Sequence, residues 1–158
     1  MSTDFAAMHG LYLEDLKVGM SAMFGKTVTE ADIAAFAGVS GDTNPIHLHG
    51  GFAQTTSFGQ RIAHGLLVLS MLTGLRQRTG ATDGTLIAWL EIRNYRFLKP
   101  VLIGDTVHGE TEIVEKRETS KPDRGIVVQR VRVLNQRGEV VQEGEFVTMI
   151  RRRPREEA

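Results

Sequence analysis

The sequence predicts an α+β fold in which one long helix packs against an antiparallel sheet. Three observations predict it. Helical spacing is confined to the first half of the chain, and β-rich segments fill the second. Between them, residues 63–78 are apolar on nearly every side, as a helix surrounded by protein is. Turn-prone residues separate the last β-rich segments closely enough for a meander.

Thr29-Glu30-Ala31-Asp32 reads as a helix start, with Thr29 as the N-cap and acidic residues in the first turn. Ile33, Phe36 and Ala37 follow at amphipathic spacing, and Gly38 and Gly41 bracket the end. Asn44-Pro45 reads as a second start, Asn44 capping and Pro45 at the first helical position. Gly50-Gly51 is expected to weaken or end that short helix. The segment from Ala63 to about Arg78 is the expected centre of the fold. Leu86, Ala88, Leu90 and Ile92 alternate as a strand does, and Tyr95 and Phe97 continue in the opposite phase. A bulge near Arg93-Asn94 accounts for the flip. Val107–Glu115, Ile126–Leu134 and Val140–Ile150 complete the strands, with turns at Lys121-Pro122-Asp123 and Asn135-Gln136-Arg137-Gly138. Residues 1–10 and the arginine-rich tail from Arg151 read as loosely held termini. The chain of 158 residues is therefore expected to form a single domain with its core over about residues 11–151.

Composition narrows the function. Nineteen basic and nineteen acidic residues give no net charge, which speaks against a nucleic-acid partner. The chain has no cysteine, which excludes disulfides, thiolate zinc sites and a cysteine nucleophile. No apolar run approaches the roughly 18 residues of a membrane span, and no signal pattern opens the chain. The expectation is a cytoplasmic protein with no membrane partner.

The stretch Gly41-Asp42-Thr43-Asn44-Pro45-Ile46-His47 carries the chemistry. Pro45 forbids a continuous helix, so a carboxylate and an imidazole are held on an irregular loop. Alone, such a stretch is more often an Asx turn than a site. With His47 in the first turn of a helix, the positive helix end favours neutral imidazole, a usable base. Two proton-handling groups together suit the addition of water to a polarised double bond. Gly65 follows His64 at the start of the apolar helix, where backbone N–H groups lack partners. A carbonyl oxygen can approach that glycine closely, which suits an oxyanion hole, though a glycine there is equally a packing allowance. A metal site from Asp42, His47, His49 and His64 is the weaker reading, because residues two apart share neither a helix face nor a strand face. Ser70 and Thr73 hydroxyls are expected to bond back to the preceding turn. Trp89, Tyr95 and Phe97 read as core or interface. Arg93, Arg96 and Lys99 read as solvated strand residues that could also meet a phosphate.

Phe36-Ala-Gly-Val-Ser-Gly-Asp-Thr-Asn-Pro-Ile-His47, Phe58-Gly-Gln-Arg-Ile-Ala-His-Gly-Leu66 and Phe97-Leu-Lys-Pro-Val-Leu-Ile-Gly-Asp105 occur in this order. Together they closely resemble the MaoC-like, (R)-specific enoyl-CoA hydratase family. The resemblance implies a hot-dog fold, a homodimer or dimer of dimers with joined sheets, and an acyl-CoA thioester bound along the subunit interface. It implies reversible hydration of a trans-2-enoyl-CoA to an (R)-3-hydroxyacyl-CoA with no cofactor and no metal. Asp42 and His47 match the pair that activates water, and Gly65 the glycine that polarises the thioester carbonyl. Asn44 matches the position that holds the loop in shape. Asn44, His64 and Thr73 are expected at the substrate-binding surface. Thr73 stands where the family often has serine near the acyl chain. The rival readings are a hot-dog acyl-CoA thioesterase and a non-catalytic acyl-binding or interaction module, and a hydratase specialised for a branched or dicarboxylic acyl-CoA is a narrower alternative.

Overall fold

The computed structural model describes residues 10–154. Its elements are β1 (Ser21–Thr27), α1 (Glu30–Ser40), α2 (Pro45–Leu48), α3 (Gly50–Gln54), α4 (Gly65–Gln77), β2 (Leu86–Phe97), β3 (Thr106–Glu118), β4 (Arg124–Leu134) and β5 (Val140–Arg151). The strands form an antiparallel sheet in the order β1-β3-β4-β5-β2. Helix α4 lies against one face of it, the hot-dog arrangement.

Each helix starts for a reason visible in the residues. Thr29 accepts from the Asp32 N–H at 3.2 Å and its own N–H donates to Asp32 Oδ2 at 2.8 Å, a reciprocal capping box. Gly41 closes α1 at φ 73°, a left-handed conformation that costs glycine nothing. Asn44 Oδ1 accepts from the Ile46 N–H at 3.1 Å with Pro45 next in line, as its residue types predict. Gly50-Gly51 does not simply end α2. The glycines open α3, because His49 turns its ring back and Nδ1 accepts from the Phe52 N–H at 2.9 Å. A side-chain cap of this kind outweighs the poor helical propensity of glycine.

The core is built between α4 and the sheet. Val68, Leu69 and Leu72 of α4 pack with Val107, Val131, Val133, Val141 and Phe146. Trp89 meets the Phe146 ring edge-on, with centroids 4.6 Å apart. One stripe of α4 breaks the expected all-round burial: Leu66, Ser70 and Gly74 are exposed, Leu66 to 58%. The meander β3-β4-β5 forms as expected. The phase flip in β2 is a bulge, with the register slipping between Arg93 and Arg96 and Asn94 held at φ 52°.

One strand was not foreseen, and one expectation fails. The edge strand β1 gives no usable periodicity, because Ser21, Ala22, Met23 and Gly25 are all exposed and only one neighbour, β3, holds it. The arginine-rich tail is not frayed as far as it is described. Arg152 bonds Glu14 at 2.9 Å, and Arg153 bonds Asp15 at 2.7 Å and lies over the Tyr12 ring. The remaining terminal residues lie outside the described part. Among the described residues, no helix is long and apolar enough to cross a membrane.

Candidate active site

The loop between α1 and α2 is held by a chain of short contacts. Ser40 Oγ donates to the Phe36 carbonyl at 2.6 Å and accepts from the Asp42 N–H at 3.1 Å. Asp42 Oδ1 accepts from the Asn44 N–H at 3.2 Å. One carboxylate oxygen is thereby occupied and the other, Oδ2, is left to point outward. Asn44 is committed to its cap, which fits a residue that shapes the loop.

His47 is fixed from the other side. Its Nδ1 lies 2.8 Å from the Ile62 carbonyl oxygen. A carbonyl only accepts, so Nδ1 carries the proton and Nε2 presents a lone pair. That Nε2 stands 3.9 Å from Asp42 Oδ2. The gap is too long for a direct hydrogen bond and suits two acceptors sharing one water. The His47 side chain is 12% exposed and that of Asp42 51%, so the pair faces out from a buried base.

His64 supplies that base. It is 1% exposed, and its ring stacks on His47 with centroids 3.8 Å apart at 28°. Its Nε2 lies 2.9 Å from the Asp42 carbonyl oxygen, so Nε2–H donates there and ties the loop to the start of α4. Buried under His47, the ring is placed to hold the pair from below. Its Nδ1 is buried with no hydrogen-bond partner. Donor atoms of Asp42, His47 and His64 fall within 4.8 Å of one another, which raises the metal reading again. Stacked imidazoles, however, send their in-plane lone pairs along nearly parallel directions and not to one point, a poor fit to tetrahedral coordination. His49, capping α3, lies outside this group.

Gly65 opens α4. No side chain caps this helix, since the ring of its N-cap residue His64 is engaged elsewhere. The Gly65 N–H is therefore without an acceptor among the described residues. Its carbonyl accepts from Gln142 Nε2 at 3.0 Å, and Gln142 Oε1 accepts from the Tyr95 hydroxyl at 2.8 Å. Burial pushes the Tyr95 phenol well above its usual range, so the hydroxyl stays protonated and keeps donating. Beside Gly65 runs an apolar groove of about 610 Å³, lined among others by Phe58, Ile62, Leu66, Phe97 and Val101. Phe97 is 54% exposed, a groove residue more than a core one, whereas Trp89 and Tyr95 pack on Phe146 as expected.

Thr73 is not brought to this loop. It lies two turns along α4, about 12 Å from Gly65 by helical rise, and its hydroxyl donates to the Ser70 carbonyl at 2.8 Å. Arg93, Arg96 and Lys99 face carboxylates of Glu145, Glu143 and Glu139 at 3.8, 3.7 and 2.6 Å. Sequence reasoning missed the two groups that position the site from a distance, the Ile62 carbonyl and Gln142. Neither a backbone oxygen nor a lone glutamine in a strand carries a motif.

Comparison with known proteins agrees with this geometry. The family model described as "MaoC like domain" matches residues 15–134. An (R)-specific enoyl-CoA hydratase of Rhodospirillum rubrum is 37% identical over 150 residues, covering 95% of this chain and 97% of the relative. Among solved structures, a protein of Archaeoglobus fulgidus described as a monoamine oxidase regulatory protein superposes with a TM-score of 0.86 at 37% identity, covering 92% of this chain and 97% of that one. The (R)-hydratase of Aeromonas caviae involved in PHA biosynthesis superposes with a TM-score of 0.75 at 35% identity, over 89% of this chain and 99% of that one.

Proposed function

Because this chain belongs to the MaoC-like domain family, we propose that it catalyses the reversible, (R)-specific hydration of trans-2-enoyl-CoA to (R)-3-hydroxyacyl-CoA. It is a hydro-lyase. The observation that carries the reading is the pair of outward acceptors, Asp42 Oδ2 and His47 Nε2, 3.9 Å apart beside the start of α4, which no side chain caps. One water donates a hydrogen bond to each. As its oxygen attacks C3, a proton passes to one of the pair, and C2 takes a proton back from the site. Negative charge developing on the thioester oxygen is met by the Gly65 N–H at a helix N-terminus, where the dipole also favours it. Nothing is oxidised or reduced, so the reaction as written calls for no cofactor beyond the CoA of the substrate. Asn44 and His64 act as positioning residues. Thr73 is assigned to the acyl chain further along α4.

Incubation with crotonyl-CoA tests this. Loss of enoyl absorbance without release of free thiol is the expected result. Thiol release in place of hydration would make the protein a thioesterase, and no change in either would end the enzymatic reading.

The assembly we assign is a homodimer. Strand β2 ends the sheet order, so one side of its backbone is unpaired. Ile87, Leu90, Ile92 and Phe97 of the same strand are exposed, as is Leu66 of α4. A second copy adding its own β2 would cover both and would close the open side of the groove. Leu90→Asp should convert the dimer to a monomer in light scattering and lower hydration with it. A wild-type protein that scatters as a monomer would refute the assignment.

A further inference from the structure

We infer that the cavity between α4 and the sheet is a carboxylate-binding site with Arg76 as its counter-ion. The cavity measures about 190 Å³. Its lining is mostly apolar, with Leu16, Phe24 and Ile113 among others, and Arg76, Thr111 and Gln129 set polar groups into it.

Arg76 is 7% exposed, yet its guanidinium makes no hydrogen bond or ion pair with any described residue. Its one recorded partner is the Trp89 ring, with the guanidinium carbon 5.7 Å from the centroid. The other described arginines without a carboxylate partner, Arg78 and Arg151, are exposed. Taking a guanidinium out of water without a counter-charge is costly, and one aromatic face offsets only a small part of that cost. Burial pulls the group below its ordinary pKa, but an arginine does not lose its charge in a protein. An apolar side chain would stabilise this position better. A charge kept at such a cost, at the wall of a mostly apolar cavity, is there for a ligand of opposite sign.

The cavity walls fit that ligand. A planar guanidinium grips a carboxylate through two parallel hydrogen bonds. The buried Thr111 hydroxyl lines the same space and can donate as well, whereas the Thr148 hydroxyl donates to the Val127 carbonyl at 3.4 Å. Gln129 is buried with its Oε1 unpartnered, and its amide group adds a further donor to the same space. The volume admits a carboxylate and a short aliphatic stem, well below the roughly 300 Å³ at which sites for larger ligands begin.

Two sources offer this chemistry: the far end of an acidic acyl chain, or a free small carboxylic acid. Arg76 lies eleven residues after Gly65, on the same helix face within about 20° and about 16 Å along the axis. Thr73 lies between them along the axis but about 80° round the helix from Gly65. On the face between Gly65 and Arg76, Leu69 and Leu72 are packed in the core, so an acyl chain from Gly65 reaches Arg76 only by displacing those side chains. This first source rests on the hydratase reading, whereas the second does not.

The test pairs kinetics with melting. Hydration of crotonyl-CoA is compared with that of trans-2-enoyl-CoA thioesters of increasing length that end in a carboxylate, in wild type and Arg76→Met. In parallel, thermal midpoints are measured with glutarate and with adipate. For an acidic acyl chain, wild type prefers one of the carboxylated thioesters, and Arg76→Met loses at least about thirtyfold in kcat/KM for it, the lower end for truncating a buried charge pair. Crotonyl-CoA turnover should then be unchanged. For a free acid, there is no such preference, but glutarate or adipate raises the midpoint of wild type and not of the variant. If no enoyl thioester is turned over while the free acids still stabilise wild type, the hydratase reading falls and the carboxylate site stands. Absence of both the substrate preference and the stabilisation in wild type would overturn the site, and that result needs no variant to fold.

Discussion

His47→Gln and Asp42→Asn should each lower crotonyl-CoA turnover by at least about a hundredfold, the lower end for removing one acid/base partner. That corresponds to about 2.7 kcal/mol of transition-state stabilisation. The two substitutions are chosen because the loop can survive them. Asn at 42 keeps an Oδ1 that accepts from the Asn44 N–H, the contact now made at 3.2 Å. What it loses is the second oxygen: an NH₂ group in the place of Oδ2 donates to water and cannot accept from it. Gln at 47 can still donate to the Ile62 carbonyl, now bonded at 2.8 Å, but its amide takes no proton near neutral pH. Each variant therefore leaves the water one acceptor in place of two, and the far-UV circular dichroism and melting midpoint should stay close to wild type. The double variant should be hardly worse than either single one, because groups that act as a unit are not additive. Near-wild-type turnover in either single variant would refute the assignment of the pair.

What could be read beforehand follows a physical line. Thr29, Asn44 and Pro45 were legible because capping acts over three residues and leaves its signature in order. The bulge was legible because strand alternation has a strict period, and Tyr95 and Phe97 break it. The family motifs lie along local stretches, so Asp42, His47 and Gly65 were legible too. The burial of His64 was not, since it depends on His47 stacking above it after a chain excursion through α2 and α3. Nor was Gln142, which reaches the Gly65 carbonyl from a strand 77 residues away. Strand β1 was hidden because an edge strand with both faces largely exposed needs no alternation. Arg76 offered no signal at all: a single cation at the end of an apolar helix reads as a solvated C-terminal residue until the sheet closes over it.

Gly65→Ala should cost kcat about a hundredfold to a thousandfold, the range found for losing one oxyanion donor, with KM little changed. Secondary structure gives no reason for such a loss, since alanine is the better helix former. Space gives the reason. A Cβ built on Gly65 would stand 2.7 Å from Cδ1 and Cε1 of Phe97, closer than carbon atoms approach. Phe97 is half exposed and its ring can swing aside, so the fold should tolerate the methyl group. The consequence falls on the groove, where the ring would enter space now lined by Ile62 and Leu66. Two causes then compete: crowding of the N–H by the methyl group, and obstruction by the displaced ring. The double variant Gly65→Ala/Phe97→Ala separates them, measured against Phe97→Ala alone. If the N–H polarises the thioester, removing the ring does not restore kcat, because the methyl group still keeps the carbonyl oxygen from the donor. Recovery in the double variant to the level of Phe97→Ala would mean that Gly65 serves only to make room for Phe97, and the oxyanion would have to be stabilised elsewhere.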